Sequence, residues 1–108
     1  MTVKKESNGI PILTIAYATY NRKEIVRRRL VEILNTDFSD EVEIIFIDND
    51  SNDGTYNELK NLNLHNKIFI YKNDFNVGFG GNFIEVLKRS KGEYAIWVSD
   101  EDSINITK

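Results

Sequence analysis

Four apolar, β-favouring runs alternate with helix-forming segments along this chain, and each run ends abruptly in a polar cluster. The clusters are Ala18-Thr19-Tyr20-Asn21, Asp48-Asn49-Asp50, Asn73-Asp74 and Asp100-Glu101-Asp102. The runs are nearly continuous in apolar residues, the pattern of strands covered on both faces in a parallel sheet. A β-α-β-α-β-α-β order with right-handed crossovers points all four strands the same way, so their carboxyl ends share one edge. Open α/β sheets bind ligands in the crevice outside that edge. The expectation is an α/β fold with a Rossmann-like parallel sheet and a site assembled from the four clusters.

Local signals place the elements. Pro11 opens a first strand running to Tyr17. Ile25, Val26, Leu30, Ile33 and Leu34 recur at helical spacing over about 22–35, with Asn21 and Glu24 spaced as a capping box. Val42 to Ile47 is the second strand, and the turn formers Asp50 to Gly54 lead into a short helix ending near Leu62. Lys67 to Tyr71 is the third strand. A Gly- and Asn-rich loop from Asn73 to Gly81 precedes a helix over 82–91, which Gly92 closes as a C′ residue. Tyr94 to Val98 is the fourth strand. Residues 1–9 read as a disordered lead-in, and 10–108 as one domain.

Bulk properties exclude several classes. Fourteen basic residues against seventeen acidic ones give a net charge of −3, which argues against a nucleic-acid partner. Without cysteine there are no disulfides and no thiolate metal sites. No apolar run is long enough to span a bilayer, and the polar start is no signal peptide, so a soluble, cytoplasmic domain is expected.

The acidic triplet carries the clearest chemistry. Asp100 and Asp102 lie two apart, so in extended chain both point to one side. Mg²⁺ and Mn²⁺ take oxygen ligands, often one or two carboxylates plus substrate phosphates. The segment Asp48 to Gly54 is not a calcium loop: counting from Asp48 puts Asp53 where glycine is needed and Leu59 where the bidentate Glu belongs. It reads instead as a strand-end carboxylate or amide that bonds a base or ribose, with Ser51 to Asp53 capping the next helix. Asn76 to Asn82 holds three glycines, which lets backbone N–H groups approach an anion at a helix start. It departs from the dinucleotide fingerprint, because Phe83 takes the third glycine's place. Of the first helix's basic residues, Arg22 is near enough to the strand end to meet a phosphate. Nucleophilic catalysis has no support, since His65 stands alone in a polar turn.

Together these pieces resemble the N-terminal half of an inverting family 2 glycosyltransferase of the GT-A fold. The match is carried by Thr14 to Arg22, Ile47 to Thr55, Asn76 to Asn82 and Gly92 to Asp102, and so spans nearly all the chain after residue 10. The resemblance implies a truncated GT-A fold that binds a nucleotide-diphosphate sugar. The nucleotide-binding residues it implies are Ala18, Thr19, Tyr20, Arg22, Asp48, Asn49, Asn76, Gly78 and Asp100. It implies a DxD-type site for Mn²⁺ or Mg²⁺ at Asp102 and Asp100, or at Asp102 alone. It also implies a glycan or lipid-linked acceptor, with peripheral membrane contact in the full-length protein.

Ala18 and Ser99 depart from the family pattern, the latter standing where many members have the first Asp of the acidic motif. In the family the catalytic base and acceptor site follow the triplet, whereas only Ser103 to Lys108 follow it here. A piece lacking transferase activity by itself is therefore expected. The fourth strand is expected to present an open edge favouring a homodimer. The competing readings are a non-catalytic nucleotide- or metal-binding α/β module and a phosphoacceptor receiver-like domain. The latter gives the Gly-rich loop no role.

Overall fold

The computed structural model describes residues 2–4 and 11–99. Strand β1 (Thr2–Lys4) is followed by β2 (Leu13–Thr19), α1 (Lys23–Leu34), β3 (Val42–Asp48) and α2 (Thr55–Leu62). Then come β4 (Ile68–Lys72), α3 (Gly78–Arg89) and β5 (Tyr94–Ser99). The sheet order is β1-β5-β2-β3-β4, with β2 through β5 mutually parallel and β1 antiparallel to β5. The expected α/β architecture is thus present, with one added strand.

The register aligns the strand ends. Thr19 pairs with Asp48, Asp48 with Lys72, and Ala18 with Ser99, so all four parallel strands finish along one edge. From β2 the chain builds outward through β3 to β4, then returns to the other side of β2 for β5. The β2–β5 boundary is therefore the point where strand order reverses, which is where such sheets open a crevice.

The continuous apolar runs follow from this layering. On one face Ile15, Tyr17, Ile44, Phe46, Ile68, Ile70 and Val98 pack under Val26, Leu30 and Ile33 of α1 and Leu59 of α2. On the other, Ala16, Ile45 and Ile47 meet Val86 of α3, with Phe69, Tyr71 and Trp97 alongside. Central β3 is buried on both sides, and Ile44 through Asp48 are fully enclosed. Tyr17 stacks on Phe46 at 4.9 Å between centroids.

Several local expectations change. Residues 1–9 were expected to be an unstructured lead-in, but Thr2–Lys4 pair with β5 over Tyr94–Ile96. Unpaired strand groups are satisfied this way, and the open edge on which a homodimer was expected is covered along those residues. Helix α3 begins at Gly78, not 82. Each helical glycine costs roughly 1 kcal/mol against alanine, but packing overrides propensity here. A side chain at Gly81 would sit 2.8 Å from the Val77 Cβ, so the turn closes tightly only with glycine.

Gly92 is not a left-handed helix cap, since only Gly54 and Gly78 among the described glycines have positive φ. It is needed for close approach: a Cβ there would lie 2.6 Å from the Thr14 backbone nitrogen and 2.7 Å from its hydroxyl. The Gly92 N–H donates to Thr14 Oγ1 (2.9 Å), and that hydroxyl donates to the buried Glu43 carboxylate (2.7 Å). Glu43 also accepts from the Lys91 N–H at 2.6 Å, which anchors the α3–β5 turn to β2 and β3.

Candidate functional site

The loops leaving β2 and β3 are laced together. Asn21 adopts φ 52°, a left-handed conformation that asparagine tolerates. Its N–H donates to Ser51 Oγ (2.7 Å), and its side-chain oxygen accepts from the Asn52 N–H (2.9 Å). Asn21 is thereby diverted from the expected capping box, and the residue flanking α1 is Arg22, with no side-chain cap. Asp53 does the capping from the other loop. Its carboxylate accepts from the Lys23 N–H and the Thr55 N–H, both at 3.1 Å, and from the Thr55 hydroxyl. Burial alone would push the Asp53 carboxyl up, but these hydrogen bonds outweigh it and hold the pKa below its ordinary value.

Asp48 ends β3 fully buried. One of its oxygens accepts from the Ser51 N–H at 3.0 Å and the other from the Ser51 hydroxyl. Burial pushes its pKa up, against the lowering effect of those bonds. Asp48 therefore shapes the β3–α2 turn. Asp50, with φ 63°, pairs with Lys72 at 3.3 Å.

An amide network ties β3, β4 and α3 together. Asn49 Oδ1 accepts from Asn73 Nδ2 and from the Val77 N–H, both at 3.0 Å. Asn49 Nδ2 donates to Asn76 Oδ1 at 3.1 Å, and Asn76 Oδ1 also accepts from the Gly78 N–H at 2.8 Å. Asn73 Nδ2 donates to Asn82 Oδ1 at 2.8 Å. Asn49, Asn73 and Asn82 are all buried, so these internal bonds satisfy polar atoms that have little access to water. The network fixes where the Gly-rich segment starts α3.

A cavity of about 480 Å³ opens at the strand-order reversal. Its lining includes Ala18, Thr19, Tyr20 and Arg22 from the β2 end, Asn49 from β3, and Asn76 and Gly78 from the start of α3. The structure thus gathers these seven sequence-predicted residues in one place. Asp48 is not in the lining, because Ser51 and the sheet enclose it. Asp100 and Asp102 lie outside the described residues, although Ser99 ends β5 beside Ala18 of the lining.

Phe79, Asn82 and Trp97 also line the cavity; Phe79 and Asn82 belong to the Asn76–Asn82 segment expected beside the nucleotide without being named as site residues, and Trp97 was expected in the core. Aromatic residues read most simply as core, and only the register brings Trp97 opposite Ala16 and toward α3. Arg22 contributes a cation to this lining, and among the described residues no carboxylate is part of it. A concave, mixed polar and aromatic cleft bearing an arginine suits an anionic ligand with a flat or apolar part. Among the described residues no cluster of three metal-ligating side chains occurs, and no helix is long and apolar enough to cross a membrane.

Comparison with known proteins gives a consistent picture. The family model described as glycosyl transferase family 2 matches residues 14–106. The GalNAc(5)-diNAcBac-PP-undecaprenol beta-1,3-glucosyltransferase of Campylobacter jejuni is 31% identical over 98 residues, covering 88% of this chain and 31% of that protein. Among solved structures, the mannosyltransferase PcManGT from Pyrobaculum calidifontis, in complex with GDP-Man and Mn²⁺, superposes with a TM-score of 0.75. The two are 19% identical, over 88% of this chain and 29% of that one. TarS 1–349 of S. aureus in complex with UDP gives a TM-score of 0.76 at 23% identity, over 89% and 29% of the respective chains. These likenesses establish a shared fold. The chain spans about a third of the length of the curated relative it matches.

Proposed function

This chain belongs to glycosyl transferase family 2, and from that premise we propose that it forms the donor-binding part of an enzyme transferring sugar from a nucleoside diphosphate to an acceptor hydroxyl. The observation that carries the reading is the cavity at the β2–β5 boundary, lined by Thr19, Tyr20, Arg22, Asn49 and Asn76. In this reading Thr19, Tyr20 and Asn49 contact the nucleoside, and the Arg22 guanidinium balances diphosphate charge. Buried Asp48 holds Ser51, whose hydroxyl oxygen accepts from the Asn21 N–H between Tyr20 and Arg22 of the lining.

Asp102 and Asp100 would hold Mn²⁺ or Mg²⁺, their carboxylate oxygens being the donors such ions prefer. When bound, the ion would supply Lewis-acid stabilisation of the departing diphosphate. Support for divalent metal in this fold comes from the PcManGT structure, which contains Mn²⁺ with GDP-Man. In the transfer, the acceptor oxygen forms a bond to the anomeric carbon as the bond from that carbon to the diphosphate oxygen breaks, with inversion. The acceptor's proton goes to a base, which is not part of the described lining. The acceptor is proposed to be a glycan or lipid-linked glycan, by likeness to the Campylobacter relative's named substrate.

Trp97 is the chain's only tryptophan and lines the cavity. Its fluorescence should therefore respond saturably to UDP or GDP, more strongly with Mn²⁺ than without. A Trp97 signal indifferent to every nucleoside diphosphate, with and without metal, would refute the donor-site reading.

A further inference from the structure

We infer that Phe79 is the stacking platform for the base of the donor nucleotide, an inference that rests on the donor-site reading above. Phe79 is 73% exposed yet held in place. Its ring centroid lies 5.2 Å from that of Trp97, tilted by 51°. Phe83, one helical turn further on, meets the same indole at 5.3 Å and 45°. Tilted pairs at these separations are favourable aromatic contacts. Trp97 is itself fixed by the sheet, opposite Ala16. A phenyl ring supported in this way, and lining the cavity, presents a preformed apolar face at little ordering cost.

The rest of the lining complements a planar heterocycle. Asn76 and Asn82 spend their side-chain oxygens on Asn49, Gly78 and Asn73, while their amide nitrogens make no hydrogen bond to the described residues. Two N–H donors beside a flat π-face can meet ring carbonyls at the edge of a stacked base. A diphosphate gains nothing from the negative face of a phenyl ring. Base–aromatic stacking is tolerant of base identity, because every base has a π-face. Phe79 therefore supplies affinity, and the amides supply discrimination.

The test is calorimetric titration of the parent chain, Phe79→Leu and Phe79→Trp with UDP, GDP, a UDP-sugar and pyrophosphate in the presence of Mn²⁺. Leucine keeps helix propensity at this exposed position but removes the π-face. It should weaken UDP and GDP about 5- to 150-fold, as expected for a lost stacking contact. Pyrophosphate binding should be unchanged, and tryptophan should retain nucleotide affinity. Equal nucleotide affinity in the parent and the leucine variant would overturn the inference and leave the donor site standing. A loss seen for the UDP-sugar but not for UDP would also overturn it, assigning the ring to the sugar. A parent chain that binds no nucleotide would overturn the donor-site reading itself.

Discussion

Replacing Gly92 with alanine should be among the most damaging single-methyl changes in this fold. The new Cβ would sit 2.6 Å from the Thr14 nitrogen, 2.7 Å from Thr14 Oγ1 and 2.8 Å from the Leu13 carbonyl carbon. Unstrained carbon contacts begin near 3.5 Å, so each approach is short by about 0.7 Å or more. Two of these atoms are backbone of β2 and cannot rotate away, so the α3–β5 turn must move instead. That movement stretches the Gly92–Thr14–Glu43 chain of hydrogen bonds inside the protein.

Overpacking of this kind costs about 1–3 kcal/mol, and an unsatisfied buried polar group costs about as much again. A loss of about 3 kcal/mol follows. In a domain of this size it lowers Tm by about 10–20 °C. Urea denaturation followed by circular dichroism measures it, with Gly80→Ala as the matched control. Gly80 lies in α3 with nothing within 4 Å of its missing Cβ, so alanine there should stabilise by about 0.5–1 kcal/mol. A Gly92→Ala chain within about 0.5 kcal/mol of the parent would refute the close-approach argument.

Asn49→Ala leaves the Val77 N–H without a partner and takes one bond each from Asn73 Nδ2 and Asn76 Oδ1, which keep Asn82 Oδ1 and the Gly78 N–H; a loss of about 2–3 kcal/mol and faster amide exchange over residues 76–82 should follow. Asp53 has its folded-state pKa depressed below 3.8, so its stabilising contribution is complete above that value and is lost as pH falls through the folded one. Asp53→Asn should therefore flatten the acid limb of stability against pH, read from urea midpoints. Asp48 has the opposite sign, its pKa raised by burial. Its contribution falls as pH rises from 3.8 through the folded value, so Asp48→Asn should flatten that segment instead. In a metal titration, Asp102→Ala should abolish any Mn²⁺ enhancement of nucleotide binding while leaving thermal stability close to the parent's.

Runs such as Val42 to Ile47 announced their strands because burial on both faces leaves no polar alternation, and the strand ends followed from where those runs stopped. The order of elements then implied a shared edge, and seven of the residues read from sequence do line one cavity there. What escaped depended on tertiary register. Three glycines argued against a helix before residue 82, and only the packing of Val77 on Gly81 and of Phe79 and Phe83 on Trp97 makes α3 start at Gly78. Asn49, Asn73 and Asn82 are far apart in sequence, and nothing local says that their amides interlock. Asn21 and Glu24 had the right spacing for a capping box, but Ser51 and Asn52 claim Asn21 from across the sheet edge. Thr2 to Lys4 carry too few residues to signal a strand, which only β5 can induce.

The central claim is that the β2–β5 cavity receives a nucleoside diphosphate. The most direct test is a ¹⁵N NMR titration of the chain with UDP, dTDP and GDP, each with and without Mg²⁺. The account predicts saturable, metal-enhanced shifts confined to residues 18–22, Asn49, 76–82 and Trp97, strongest for one base. Shifts centred elsewhere on the chain, or none with any nucleotide, would contradict it.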